Sequence, residues 1–453
     1  MNKIGLIGCL IVLFWGFQGA QISPRHRSAE RLDPSALQED FTIFRQSLKQ
    51  YHPGLYTYAS KSQIDSAFAA IEAKLDQPMS ELGFYQLLSP LKSLIKDGHT
   101  YFYPSSERKQ EVLGSGSLPF QAYWDGQSLW ARHIYYTDIA LSAGDEILSI
   151  NGLEAKEIAR HLMSNIIRDG KNVSYPRWIM NHWFGQIYRY HYETSEQWEL
   201  EILDTAGNRR KLRFENQPSG GVPEEGEKPK GIELRYEGEV GLLKVPSFNN
   251  VILRTRYQQR FRPEIKAAFE TLQQNQTKSL ILDLRDNQGG TIDYGRYLLS
   301  YLLEERFALV QALKKVSEPL EEQNEKRLTD KSFAKLGWTE PKKHHFRGKL
   351  IVLMNGGSFS CTGAVLAQLK AADRAEFVGE AAAGNNSVFC GVGPTEILPN
   401  SKITLAVPRV QFYVVDRSQN VGHGVLPDHY LFPTITDLID ERDVELEKAL
   451  SLF

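Results

Sequence analysis

Cysteine is scarce in this chain, with only three among 453 residues. Three thiols are too few for the disulfide framework of a small secreted scaffold or for a four-cysteine zinc site. The sequence also lacks the His-Glu-x-x-His pattern by which a helix binds zinc in many metallopeptidases. The sequence therefore indicates neither a metal nor an organic cofactor.

A net positive charge is missing as well. The 53 lysine and arginine residues are balanced by 55 acidic residues, which leaves a formal net charge of −2. Binding to DNA or RNA depends on a basic surface, so we exclude nucleic acid as the main partner. Apolar residues at 42% and charged residues at 24% are ordinary for a soluble globular protein. These values exclude a collagen, a disordered tail protein and a polytopic membrane protein.

No apolar run reaches the length of about 20 residues that a membrane span needs. An uncharged apolar run of 14 residues, 4–17, follows Lys3 and precedes the small residues Gly19 and Ala20. This order is typical of a secretory signal, so we predict a signal peptide at residues 1–20 with cleavage after Ala20. A lipoprotein signal is a weaker interpretation because Cys9 lies inside the run, and a buried helix is weaker because no polar face is present. We expect a periplasmic or secreted protein without a membrane span.

The remaining chain divides into regions of different texture. At roughly 150 residues per domain, the length allows about three domains. We predict a helical domain at residues 33–110, a small mostly-β domain at 115–216, an exposed linker at 217–230 and an α/β domain at 231–453. The linker is predicted because this segment is rich in proline, glycine and charge and has no apolar period.

The first two domains are predicted from the spacing of apolar residues. Spacings of three and four from Leu37 to Tyr51 predict a first helix, and apolar residues from Ile64 to Leu75 predict a second. A third helix is expected over about Ser80 to Lys96, ending at Gly98. In the mostly-β domain we predict strands at 120–124, 146–150, 198–203 and 211–214. One helix is predicted there, at 155–163.

The α/β domain is predicted from two compact apolar strands. Ser279 to Leu284 and Leu350 to Met354 are each followed by a glycine-rich loop and a helix. Continuous apolar strands that alternate with helices are typical of a mostly parallel sheet covered on both faces.

The loop after the second strand, Asn355 to Cys361, is a candidate site for a nucleophile. It leaves Ser360 at a helix N-terminus, where free N–H groups and the helix dipole favour negative charge. The N–H of Cys361 can then hold an oxyanion. The simpler interpretation is that Ser358 or Ser360 only caps the helix.

Two further segments carry polar residues beside glycine. The first, Asp283 to Gly290, ends the first buried strand, and it lacks the Gly-Lys-Ser/Thr of a phosphate-binding loop. The second is Asp97-Gly98-His99-Thr100. A serine needs a base to take its proton, and histidine is the usual base, although a single histidine among 11 is weak evidence by itself.

Considered together and in order, these motifs resemble the C-terminal processing serine peptidase family, which includes the tail-specific proteases and the tricorn core. The resemblance spans nearly the whole mature chain. Its elements in this sequence are His99, Asp283-Leu284-Arg285-x-Asn287-x-Gly289-Gly290, Ser358-x-Ser360, Gly424-Val425-x-Pro427-Asp428, Gly144 to Gly152 and His52 to Tyr56.

The resemblance implies a fold and an activity. The fold would be a crotonase/ClpP-like α/β catalytic core, preceded by a helical domain carrying His99 and by a PDZ-like domain that includes Gly144 to Gly152. The activity would be hydrolysis of polypeptides, selected through their C-termini in some members. The PDZ-like domain would either bind an extended peptide or prop the active site, and the sequence leaves both open.

The resemblance also assigns site residues. Tail-specific members have a lysine 25 residues after the serine, but Asn385 stands there in this sequence. The tricorn-like arrangement then remains, with Ser360 as nucleophile and His99 as base. Oxyanion donors would be the N–H groups of Cys361 and of Gly289 or Gly290.

The acid that orients His99 is left open by the resemblance. Asp97, Asp416 and Asp428 are the candidates, because the family's usual carboxylate is absent just before Gly424. We also hypothesise a disulfide between Cys361 and Cys390, since the family places both by the active site and an exported protein meets an oxidising medium.

Two alternatives to a peptidase remain. One is a catalytically weak or inactive relative that binds peptides or other ligands, which the missing lysine and the unassigned acid motivate. The other is a non-peptide acyl hydrolase, although Gly-x-Ser-x-Gly is absent at Ser360.

Overall fold

The computed structural model describes residues 31–114, 118–136, 138–192, 197–215, 231–316, 321–322, 336–415 and 422–453. The predicted signal peptide at 1–20, the predicted linker at 217–230 and Asp416 lie outside these residues. Within the described ranges, every helix is too short or too polar to cross a membrane.

The N-terminal region is mainly helical. Its elements are β1 (Arg31–Leu32), α1 (Pro34–Tyr51), α2 (Lys61–Glu72), β2 (Met79–Ser80), α3 (Glu81–Leu88), α4 (Leu91–Ile95), β3 (Tyr101–Tyr103) and α5 (Ser106–Gly114). Pro34 occupies the first turn of α1, and the apolar face of this helix is buried as its spacing predicts.

The third predicted helix is wrong in two respects. It is divided into α3 and α4 at Ser89 and Pro90, because proline has no N–H to continue the helical hydrogen bonding. The left-handed residue that ends α4 is Lys96, with φ of 55°, and not Gly98. Gly98 serves packing instead, since a Cβ there would lie 2.8 Å from Cζ of Phe359.

The next region combines a sheet with two helices. Its elements are β4 (Phe120–Trp124), β5 (Leu129–Ile134), β6 (Glu146–Ile150), β7 (Leu153–Glu154), α6 (Ala155–Ser164), α7 (Ser174–His191), β8 (Gln197–Leu203) and β9 (Arg209–Glu215). The strands pair antiparallel in the order β4-β5-β6-β8-β9, with β7 on β6. The predicted strands and the helix at 155–163 are confirmed, whereas α7 was not predicted.

The C-terminal region contains the large sheet. Its elements are β10 (Glu233–Glu237), β11 (Val240–Lys244), α8 (Asn250–Arg256), α9 (Phe261–Gln274), β12 (Ser279–Asp283), α10 (Ile292–Leu299), β13 (Ala312–Lys315), β14 (Glu321–Glu322), β15 (Lys349–Met354), α11 (Cys361–Ala371), β16 (Glu376–Gly379), β17 (Val388–Cys390), β18 (Thr395–Ile397), β19 (Thr404–Ala406), β20 (Val410–Tyr413), β21 (His429–Tyr430), α12 (Ile435–Ile439) and α13 (Val444–Leu450).

The large sheet has the order β10-β11-β12-β15-β16-β21 and is parallel from β11 onward. Both faces are buried, as the apolar strands predict. Leu280 and Val352 face one buried cluster, while Ile281 and Ile351 face another. The loops after β12 and β15 meet at one edge, because Asp283 pairs with Leu353 at the ends of these strands.

A short strand joins the N-terminal region to this domain. β3 pairs antiparallel with β19, so that Tyr101 lies opposite Ala406 and Tyr103 opposite Thr404. The turn containing His99 comes directly before β3. The strand pair therefore carries this turn to the edge where the loops after β12 and β15 meet.

Candidate active site

Ser360 lies at a strained turn between β15 and α11. Its φ of 57° and ψ of −121° fall in a region that residues other than glycine rarely adopt. Such a conformation costs on the order of 1–3 kcal/mol and persists only where the surroundings enforce it. Gly289 is part of these surroundings, since a Cβ on it would lie 2.9 Å from Cβ of Ser360. The turn presents the serine side chain in front of the helix.

Ser358 and Ser360 have different surroundings. The Ser358 hydroxyl is buried, donates to the carbonyl of Leu284 at 2.8 Å and accepts from the N–H of Asn355 at 3.1 Å. Ser358 thus ties the turn to the end of β12. Ser360 occupies the N-cap position of α11 without making a side-chain capping bond. The interpretation of Ser360 as only a cap is therefore wrong.

The structure brings His99 to Ser360. Nε2 of His99 lies 2.9 Å from Oγ of Ser360, although 261 residues separate them in the sequence. The imidazole is 1% exposed. Burial lowers the pKa of His99 to about 4, against the opposing effect of Asp97, so the ring is neutral at neutral pH. A neutral imidazole within hydrogen-bond distance of a hydroxyl is suited to take its proton.

Aromatic stacking fixes the plane of the imidazole. His99 stacks on Phe359 with ring centroids 4.7 Å apart, and Phe359 stacks on Tyr175 of α7 at 4.3 Å. Gly98 allows this arrangement because any side chain there would collide with Phe359. Residues from three separate regions of the chain therefore hold the ring beside Ser360.

Both carboxylate oxygens of Asp97 have a polar group close to them. Oδ1 accepts the backbone N–H of His99 at 2.7 Å, and Oδ2 lies 2.7 Å from Nε2 of His52. Nδ1 of His52 accepts the N–H of Gly54 at 3.0 Å, which leaves the proton of a neutral His52 on Nε2, toward Asp97. Burial would raise the pKa of Asp97, but His52 and His99 lower it to about 2.

Asp169, which the sequence did not single out, lies on the other side of the same turn. It belongs to the loop between α6 and α7, and its Oδ1 accepts the N–H of Gly98 at 2.6 Å. Burial and the charge of Asp97 raise the pKa of Asp169 well above its usual range. Only its place in an Asp-Gly pair marks it in the sequence, and that pattern is typical of an ordinary turn.

Asp428, another predicted orienting acid, makes its contacts away from this site. Asp428 makes an ion pair with Lys370 and accepts the N–H of Phe377 at 2.9 Å, so it stabilises the sheet near β16. Asp416 lies outside the described residues.

The candidate oxyanion donors can be distinguished by their hydrogen bonds. The N–H of Gly289 donates to Oδ1 of Asn287 at 3.0 Å and is therefore occupied. Within the described part of the chain, the N–H groups of Gly290 and Cys361 have no hydrogen-bond partner. Of the two glycines that the sequence left open, Gly290 is thus the one with a free donor.

The predicted disulfide is wrong. Cys361 and Cys390 are both free and buried. The thiol of Cys361 donates to the carbonyl oxygen of Thr291. A Cβ on Gly295 would lie 2.7 Å from the sulfur of Cys361. The thiol of Cys390 instead lies against Asp97. The first sulfur packs in the core and the second faces the site, so they do not meet.

Two overlapping groups of side chains near His99 have the composition of a metal site. The first group consists of His52, Asp97 and Cys390, and the second of Asp97, His99 and Asp169. Within each group, one possible ligand atom per residue lies within 4.8 Å of the others. Nε2 of His52 and Oδ2 of Asp97 are 2.7 Å apart, so these two side chains contact each other directly. This direct contact explains why His52 and Asp97 of the first group lie close together.

Two surface cavities lie elsewhere. One, of about 400 Å³, is lined by residues that include His161 and His191, and another, of about 500 Å³, by residues that include Arg160 and Arg168. Neither of these two cavities is lined by Ser360 or His99.

Comparison with known proteins agrees with the family resemblance in the sequence. Residues 239–431 match the model of peptidase family S41. The carboxy-terminal-processing protease of Bartonella bacilliformis is 26% identical over 227 residues, which are 49% of this chain and 45% of that protein. The match thus spans less than half the length of that relative.

Solved structures match over more of the chain. Mature CPAF gives a TM-score of 0.67 at 18% identity, covering 92% of this chain and 96% of that one. Mature CPAF complexed with lactacystin gives 0.65 at 17% identity, covering 92% and 97%. These likenesses show the fold, and the prediction of a mixed α/β fold is confirmed.

Proposed function

We propose, from the match of residues 239–431 to peptidase family S41, that this chain is an exported serine peptidase with Ser360 as nucleophile and His99 as general base. One observation carries the proposal, the 2.9 Å between Nε2 of His99 and Oγ of Ser360. The strained turn at Ser360 and the neutral imidazole support it.

The proposed reaction follows from these positions. Oγ of Ser360 attacks the carbonyl carbon of a peptide while Nε2 of His99 takes the hydroxyl proton. The N–H groups of Gly290 and Cys361 donate to the oxyanion of the tetrahedral intermediate. His99 then gives its proton to the leaving amine, and water hydrolyses the acyl-enzyme by the same route. No step needs a metal or an organic cofactor.

The remaining regions receive proposed roles from the family resemblance. We propose that 231–453 is a crotonase/ClpP-like catalytic domain, that 115–216 is PDZ-like, and that 33–110 supplies the base. Polypeptides would be the substrates, some of them selected by their C-termini. The antiparallel sheet with α6 at its side is compatible with a PDZ-like domain.

Export is proposed from the sequence of residues 1–20. A signal peptide there would direct the mature protein to the periplasm or the medium. Mass spectrometry of the N-terminal peptide of protein recovered outside the cytoplasm tests this, and an N-terminus that retains residues 1–20 would contradict it.

Hydrolysis of casein, compared with hydrolysis of a short ester, tests the activity. A peptidase degrades casein in a manner lost in Ser360→Ala and retained in Ser451→Ala, a matched substitution at an exposed serine. Hydrolysis of the ester alone would favour the acyl hydrolase. Folded protein that hydrolyses neither substrate would favour the ligand-binding relative.

A further inference from the structure

Several buried polar atoms near the catalytic pair have no hydrogen-bond partner among the described residues. Two of them are Nδ1 of His99 and Oδ2 of Asp169, on side chains that are 1% and 3% exposed. One ring nitrogen of His99 and one carboxylate oxygen of Asp169 lie within 4.8 Å of each other. Leaving such atoms unpaired costs about 1–3 kcal/mol each, so two of them side by side require an explanation.

Asp97, the other carboxylate in this cluster, is already occupied. One of its oxygens accepts the backbone N–H of His99, and the other lies 2.7 Å from His52. Among the described residues, this cluster contains no third carboxylate. Because the second oxygen of Asp97 lies against His52, Oδ2 of Asp169 is the oxygen left to face the imidazole.

The loop that carries Asp169 is fixed on several sides. The N–H of Gly170 donates to the carbonyl of Lys96 at 2.9 Å, and the N–H of Lys171 donates to Gly422 at 2.5 Å. The Asn172 amide donates to the carbonyl of Ala382 at 2.8 Å. Together with the bond from Gly98, these contacts hold the carboxyl group beside the turn of His99.

We propose that Asp169 is the positioning residue of the catalytic pair, and that its Oδ2 accepts the Nδ1–H of His99. This rests on the proposed function. With the proton on Nδ1, Nε2 is free to accept the proton of Ser360, and the carboxylate stabilises the imidazolium that forms. A protonated Asp169 is a weaker acceptor and carries no charge to stabilise the imidazolium, so the active form has Asp169 ionised and His99 neutral.

The groups that face Asp169 determine the pH range in which Asp169 is ionised while His99 is neutral. They are Asp97 and His99 on the turn, Tyr58 after α1, Tyr101 on β3, Tyr175 on α7 and Cys390 on β17. Burial raises the pKa of the tyrosines and the thiol further into the alkaline range. The acidic groups and the imidazole that remain in this set are Asp97, whose pKa is lowered to about 2, His99, whose pKa is lowered to about 4, and Asp169, whose pKa burial and Asp97 raise.

Asp169→Asn tests the proposal, because it keeps an oxygen for the N–H of Gly98 and removes the ionisable acceptor. We expect kcat to fall at least about 100-fold at unchanged KM, and the acidic limb of kcat/KM to move to lower pH. Asp76→Asn, the same change at an exposed aspartate away from the site, leaves rate and pH profile unchanged. A normal rate in Asp169→Asn, or a lower rate with an unshifted pH profile, would overturn the proposal.

The histidine tautomer provides a measurement without turnover. In ¹⁵N-histidine spectra, assigned with His99→Gln, we expect the Nδ1–H form of His99 in the wild type above the acidic limb, and its loss in Asp169→Asn. The Nε2–H form in wild-type protein would overturn the proposal. Since the tautomer is read without turnover, failure here is distinct from failure of the proposed peptidase activity.

Discussion

His52 lies 2.7 Å from Asp97, and Asp97 accepts the backbone N–H of His99. The end of α1 is thereby connected through two side chains to the histidine beside Ser360. His52 and Asp97 are both buried. Removing the imidazole of His52 would therefore leave a buried carboxylate without the group that contacts it.

We expect His52→Ala to lower the free energy of unfolding by about 3 kcal/mol and to reduce kcat/KM at least tenfold, because the turn of His99 loses its support. Urea denaturation and steady-state kinetics measure the two effects. His344→Ala, at an exposed histidine, should change neither. A His52→Ala protein as stable and active as the wild type would show that this connection has no role.

Gly98→Ala should damage the site through packing alone. The added methyl group would lie 2.8 Å from the ring of Phe359 and 3.2 Å from Cγ of Asp169. We expect a loss of about 1–3 kcal/mol in thermal or urea denaturation and a lower kcat. Gly185→Ala in α7 is the control, since a methyl group there meets no atom within 4 Å. Equal behaviour of the two variants would contradict the packing argument.

The pH dependence of stability should report the buried imidazole. Burial lowers the pKa of His99 from 6.5 to about 4, so between these values the unfolded state binds a proton that the folded state does not. Stability is therefore lost as pH falls through this window, by about 3 kcal/mol for this group. In His99→Asn the loss of unfolding free energy between pH 7 and pH 4 should be smaller by that amount. An unchanged loss would mean that His99 is not buried in the neutral form.

The thiols should be free but unreactive. Burial raises the pKa of Cys361 to about 12 and that of Cys390 well above its usual range, so few thiolates form at neutral pH. For protein spanning residues 21–453, we expect alkylation of two thiols after denaturation without reductant, and of neither in the folded state. Thiols that appear only after reduction would contradict the structure.

The sequence predicted those parts of the site that depend on local pattern. Buried strands that end in glycine loops pointed to Ser360 and to the pair Gly289 and Gly290, and the order of motifs connected them with His99. The position of His99 in space depends on pairing between the three-residue strands β3 and β19, about 300 residues apart, which no local period indicates.

Asp169 and His52 were missed as site residues for a related reason. Asp169 acts from a loop between two helices, one of which was not predicted, and an Asp-Gly pair is typical of any turn. His52 did belong to a motif that the sequence analysis identified, at 52–56, but its contact with Asp97 requires α1 and the turn of His99 to pack together. Long-range packing decided both positions.

Fluorophosphonate labelling followed by peptide mapping tests the central claim most directly, namely that Ser360 is a nucleophile activated by His99. We predict one phosphonyl adduct, on Oγ of Ser360, which is absent in Ser360→Ala, strongly reduced in His99→Ala and unchanged in Ser451→Ala. Folded wild-type protein that takes no label, or that takes it on another serine, would contradict the account.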